Sequence, residues 1–129
     1  MRKAIFNLLT TDPTLSGLLP AEKWYERGAV PDTPTTPFAV LAWQGVTAVG
    51  KGQRMPRLTL WVYQARGSYT TIDRVLSRAT EVLEAVEQYQ FGDEYITQVD
   101  FEGSSVDLFD DIYRANARNA GYRVIGSGL

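Results

Sequence analysis

The clearest pattern of apolar and polar positions lies between Leu58 and Gln88. Leu58-Thr59-Leu60-Trp61-Val62-Tyr63 alternates as a strand does, and Arg66-Gly67-Ser68 makes a turn. Ile72, Val75, Leu76, Ala79, Val82, Leu83 and Val86 then recur at spacings of three and four, which places them on one helix face. Arg74, Arg78, Glu81, Glu84 and Glu87 fall on the other face, and Thr70 with Asp73 offers a capping pair for the helix start. A strand running directly into a one-faced helix predicts a helix lying across a sheet.

The flanking pattern supplies that sheet. Residues 2–10 read as a short helix with Ala4, Ile5, Leu8 and Leu9 on one side, ended by Asp12-Pro13, and Leu15, Leu18 and Leu19 add a turn. Trp24-Tyr25 is a short extended piece, and residues 28–37 form a proline-rich arm through Pro31, Pro34 and Pro37. Phe38–Trp43 is a strand, and the glycine-bearing, basic stretch 45–57 is a long hairpin connection. Tyr95–Phe101 alternates, and Ala120–Ile125 is a final strand. Between them Val106, Leu108, Phe109, Ile112 and Tyr113 carry a spacing that suits a short helix. The expectation is one α+β domain over residues 1–129. It has a small antiparallel or mixed four-stranded sheet, with the long helix and the N-terminal helix packed on one face.

Composition narrows the chemistry. The 129 residues contain no cysteine and no histidine, which removes disulfides, thiolate and imidazole metal sites, and triads built on either residue. Net charge is −2. It is unevenly placed: residues 1–67 carry eight Lys/Arg against four Asp/Glu, and residues 68–129 carry five against eleven. Such a chain can set its basic surface against the acidic surface of a neighbour if the halves separate in space. No apolar run approaches the roughly 20 residues of a membrane span, so no membrane partner is expected.

Three features invite a chemical reading. Gly45 to Lys51 follows the spacing of a phosphate-binding loop, but Gly52 replaces the hydroxyl residue that would hold Mg²⁺, and a strand rather than a helix follows. Asp107, Asp110 and Asp111, with Glu102 nearby, form an acidic cluster without calcium-loop spacing, and Arg118 is placed to pair with one of them. Trp43, Trp61 and Tyr63 on adjacent strands read as core or interface aromatics, because no basic patch surrounds them. No catalytic residue, cofactor or metal is expected.

The stretch Phe101-Glu102-Gly103-Ser104-Ser105-Val106-Asp107-Leu108-Phe109-Asp110-Asp111, followed by Arg118 and Tyr122-Arg123-Val124, resembles the C-terminal signature of tail-terminator proteins of long-tailed, non-contractile bacteriophages. The leucine-bearing N-terminal helix with Asp12-Pro13, the proline-rich link into Phe38 and the strand-to-helix unit are similar to the same family. The resemblance implies a virion structural protein and no enzyme, assembled in the host cytoplasm. Copies would form a ring, usually of six, that caps the tail tube and joins it to the head connector or stopper, with DNA passing through unread. On that reading the subunit or tube contacts are expected among Arg27, Lys51, Arg54, Arg57, Arg74, Arg78, Asp107, Asp110, Asp111 and Arg118. Arg74 and Arg78 are expected to be reversible in charge without loss of folding. A neighbouring stopper or adaptor, and a small-molecule- or peptide-binding α+β module, are the alternatives.

Overall fold

The computed structural model describes residues 1–50 and 52–127. Helices α1 (Arg2–Thr10), α2 (Pro13–Leu18) and α3 (Thr70–Glu84) lie with strands β1 (Trp24–Glu26), β2 (Phe38–Gly50), β3 (Gln53–Gln64), β4 (Tyr89–Phe91), β5 (Glu94–Ser104), β6 (Leu108–Asp110) and β7 (Ala115–Ser127). The strands form one sheet in the order β1-β2-β3-β7-β5-β4, with β6 paired to the end of β7 that β5 leaves free. β1 runs parallel to β2 and every other pair is antiparallel, so the sheet is mixed.

The sheet therefore has seven strands among the described residues, not the expected four. The additions, β1, β4 and β6, are three residues each, too short for alternation to declare itself. The expected connection over 45–57 is itself largely strand. β2 continues to Gly50 and β3 resumes at Gln53, with register shifts after Gln44 and Ala48 and a left-handed backbone at Gly45. The stretch after Gly103, whose apolar spacing also allowed a short helix, is strand and turn. Leu108, Phe109 and Asp110 pair with Ala117, Asn116 and Ala115, and a turn follows. In that turn Asp110 Oδ1 accepts from the Tyr113 N–H at 2.8 Å, while Arg114 takes φ 53°. Backbone pairing to β7 satisfies this segment's donors and acceptors, and a helix would forfeit those bonds.

The long helix is α3. Ile72, Val75, Leu76, Ala79 and Leu83 are buried against Leu58, Leu60 and Val62 of β3, Ile96 and Val99 of β5, and Tyr122 and Val124 of β7. Ala4, Ile5 and Leu9 of α1 and Leu15 of α2 complete this core. The other sheet face holds a smaller core of Phe38, Val40, Tyr63, Ala115 and Ala117, with Trp61, Tyr113 and Val30 packed on it. Phe38 stacks on Tyr63 at 4.5 Å, and Tyr113 meets both rings edge-on at 5.2 Å. Trp61 and Tyr63 are thus core aromatics. Trp43 lies on the helix side, half-buried, with Arg2 over its ring at 5.9 Å. The proline-rich arm is tied back to the body: Lys23 Nζ donates to the Thr35 carbonyl at 2.7 Å, and Val30 packs on the smaller core.

Sheet side chains cap two helices. The expected Thr70–Asp73 box does not form, because Tyr69 occupies the cap position and Thr70 is already helical. Gln64 Oε1, at the end of β3, accepts instead from the Thr71 N–H at 3.0 Å and the Ile72 N–H at 3.3 Å. Glu94, at the start of β5, accepts from the Ala4 N–H at 2.9 Å, and the Met1 α-ammonium lies 3.0 Å from the same carboxylate. Local acceptors are Asp12, which caps α2 through the Leu15 N–H at 3.0 Å, and Ser68 Oγ, which accepts from the Thr70 N–H at the start of α3 at 3.1 Å. Beneath α3 the Tyr122 hydroxyl shares a 2.7 Å hydrogen bond with Thr80. Burial pushes the Tyr122 phenol up to about 12.

Two tests follow from this packing. Val75→Asp or Leu83→Asp sets an unpaired carboxylate in the main core and should abolish the cooperative unfolding transition seen by circular dichroism. Gln64→Ala removes an acceptor for two helix N–H groups and should cost about 1–2 kcal/mol in urea unfolding. Gln64→Glu keeps the acceptor and adds a charge favoured at a helix N-terminus, so it should retain most of that stability.

Candidate assembly surface

The strand order converts the uneven charge along the chain into an uneven charge across the molecule. β1, β2 and β3, all from residues 1–67, occupy one side of the sheet, and β7, β5, β4 and β6 occupy the other. The basic and acidic halves therefore meet at the β3–β7 ladder, although α1 crosses back to pack on α3, β4 and β5.

Of the ten residues expected at an interface, the nine that are described separate into two groups. Arg78, on the supposed outward face of α3, is a structural residue. Its Nε and Nη2 donate to the two Asp12 carboxylate oxygens at 3.0 and 2.9 Å, and its Nη1 reaches Glu81 at 3.1 Å. Hydrogen bonds from Arg78 hold the Asp12 carboxyl below its usual range, and the Asp12 pairing pushes the guanidinium up. Since Asp12 also caps α2, this pair fastens α2 to α3, so the expectation that Arg78 can be reversed in charge without loss of folding now has to contend with a structural contact. Arg118 is likewise held within the chain, by Asp73 at 2.5 Å, by the Ser105 carbonyl, and by Asp107 at 3.6 Å. The expected pairing of Arg118 with the acidic cluster is present, with Asp73 as its nearer carboxylate. Asp110 is turned onto the Tyr113 amide, whereas Asp111 is exposed.

Arg27, Arg57 and Arg74 are exposed. Arg57 lies 3.6 Å from Glu102 across β7, and Arg54 donates to the Gln53 carbonyl beside it. Lys51 lies outside the described residues. A 510 Å³ cleft on the face opposite the helices brings Arg27, Val30, Trp61, Asp110 and Tyr113 together. Burial raises the Tyr63 phenol there to about 12, reinforced by Asp110. The cleft contains no nucleophile–base pair. Among the described residues no three Asp or Glu side chains converge as a metal site needs, and no helix is long and apolar enough to cross a membrane.

Sequence reasoning missed exposed apolar side chains on the acidic half, among them Phe101, Val106, Phe109 and Ile112. These are separate side chains rather than one patch: Phe101 lies on the helix side beside Tyr122, Ile112 lines the cleft on the opposite face, and Val106 and Ile112 are 76% and 87% exposed, with Phe109 also exposed. The sequence signal pointed elsewhere: the spacing of Val106, Phe109 and Ile112 suited the buried face of a short helix, among Asp residues.

No protein-family model and no curated protein matches the chain. Among solved structures, its fold matches a chain in the virion of a native gene transfer agent particle. The TM-score is 0.74 with 12% sequence identity, over 99% of this chain and 95% of the other. At that identity the match is one of fold, an α+β half-barrel with helices along one face.

The Asp12–Arg78 pair makes acid sensitivity testable. Asp12 has a lowered folded pKa, so its contribution is present above the unfolded value of 3.8 and is lost as pH falls through the folded one. Denaturation midpoints of the wild type should therefore drop between about pH 5 and pH 2 more steeply than those of Asp12→Asn. Equal slopes would show that the pair does not couple to folding.

Proposed function

We propose that this chain is a virion structural protein of a phage-like particle, the tail terminator. It forms a ring, of six copies, that caps the tail tube and joins it to the head-completion or stopper protein. The observation that carries the reading is the fold shared with a chain of a gene transfer agent virion over nearly the whole length of both. The similarity of the Phe101–Asp111 stretch and Arg118 to the terminator signature supports the narrower role.

The mechanism is assembly rather than turnover. A ring is a closed series of head-to-tail contacts, each joining two different surfaces of the same subunit. The lateral separation of basic and acidic halves suits this, since opposite sides of one sheet carry opposite charge. Arg27, Arg54 and Arg57 on the basic half are offered to the neighbour or the tube. Arg78 and Arg118 hold the subunit in shape for those contacts. Acidic side chains facing the hole, Asp111 among them, would let DNA pass without adhering.

The test is the place of the protein in the particle. Labelled antibody should mark one end of tails purified without heads. Arg27→Glu/Arg54→Glu/Arg57→Glu should keep the wild-type circular dichroism spectrum but be lost from those tails. Label on tailless heads would assign the chain to the stopper position instead, and label on neither would remove it from the joint.

A further inference from the structure

Both lateral edges of the sheet are largely open. β1 covers β2 only over Ala39–Leu41, and β4 covers β5 only over Glu94–Ile96. Among the described residues no strand pairs with the outer edge of β2 beyond Leu41 or of β5 beyond Ile96. Soluble proteins blunt such edges with lysine, proline or inward-pointing charge. Residues 42–50 of β2 read Ala-Trp-Gln-Gly-Val-Thr-Ala-Val-Gly, without a charge or a proline. Each edge also holds a buried side-chain group with no hydrogen-bond partner, Trp43 Nε1 on β2 and Thr97 Oγ1 on β5.

We infer that copies of this chain join edge to edge, β2 of one pairing antiparallel with β5 of the next. The inference rests on the reading above only for the expectation that copies associate. Direction follows from topology. β2 and β3, β3 and β7, and β7 and β5 are each antiparallel, so β2 and β5 run oppositely within one sheet. A neighbour added sideways in the same orientation brings its β2 antiparallel to the first copy's β5.

The register follows as well. One cross-strand row runs Gln44–Arg57–Arg123–Asp100, and the adjacent row runs Trp43–Leu58–Tyr122–Phe101. Continuing these rows into the next copy sets Asp100 opposite Gln44 and Phe101 opposite Trp43. Phe101 and Trp43 both lie on the helix side, and Phe101 is 41% exposed. Beside Phe101 a 360 Å³ groove opens between α3 and the β5–β7 ladder, lined by Leu76, Thr80, Glu81, Arg118 and Ala120 among others. The pairing would cover the apolar side chain that the lone subunit leaves in water and would bring the basic half of one copy against the acidic half of the next. The surfaces differ, so the contact is head-to-tail and repeats.

The chain contains no cysteine, which makes disulfide trapping clean. Gln44 and Asp100 of one chain are three strand spacings apart, about 14 Å, beyond the roughly 7 Å reach of a disulfide. Gln44→Cys/Asp100→Cys protein, oxidised at millimolar concentration, should convert most of its monomer band into a ladder of oligomers that collapses on reduction. Gln44→Cys/Gln98→Cys and Gln44→Cys/Glu102→Cys cover a two-residue slip in either direction. A ladder from any pair supports the edge contact. Monomer from all three, or dimers from single-cysteine chains with no ladder from the pairs, overturns it. A ladder from protein that never reaches tails leaves the inference standing and removes the virion role. Tail-bound protein that gives no ladder does the reverse.

Discussion

β7 is the strand on which the rest of the molecule depends. It pairs with β3 on one side and with β5 and then β6 on the other. The basic strands and the acidic strands touch each other through it alone, so its ladder is the seam that makes one sheet of two parts. Its tolerance is correspondingly small. A Cβ at Gly126 would sit 2.1 Å from the Tyr95 carbonyl oxygen and 3.0 Å from Met1 Sδ, so at this position only glycine lets β5 and the helix side close on the strand. On its helix face Ala120, Tyr122 and Val124 carry the main core, and on its other face Ala115 and Ala117 carry the smaller one.

The helices are held to this sheet by polar contacts as specific as their apolar packing. Gln64 caps α3 from the end of β3, and Glu94 caps α1 from the start of β5. Asp12 caps α2 while binding Arg78 of α3. Each of these acceptors meets first-turn N–H groups that the helix itself leaves without a partner. Charged residues that look solvent-facing in a helical pattern are in consequence partly committed to structure. Arg74 is exposed on α3, while Arg78, one turn on, is paired with Asp12 and Glu81.

The extent to which this was legible in the sequence tracks the range of the forces involved. The α3 face, the strand at Leu58, the alternation of Tyr95–Phe101 and the N-terminal helix were readable because a single period runs through enough residues to show. β4 and β6 were not, and Trp24-Tyr25 was readable as extended but not as the strand β1 of this sheet, because three residues carry no period and their place depends on the strand they pair with. The cap at Thr70 was misread for the same reason. A local hydroxyl was the visible candidate, and the acceptor came from Gln64 across a turn. At the candidate surface the charge imbalance was visible, and its lateral separation followed only once the strand order was known. Arg118 was correctly tied to the acidic cluster, whereas the role of Arg78 required knowing that α2 lies beside α3.

The central position of β7 also sets the order of events during synthesis. Every strand it joins leaves the ribosome before it does, and its partners in β3 lie some 60 residues earlier. Until it arrives, β3 and β5 have no neighbour on their inner sides, and the two charged halves are separate pieces of chain. Long-range pairing of this kind is slow to form and exposes unpaired edges meanwhile. A subunit built this way acquires its complete lateral surfaces only in the last step of its own folding. The arrival of β7 thereby sets when the two outer edges come to lie on one sheet.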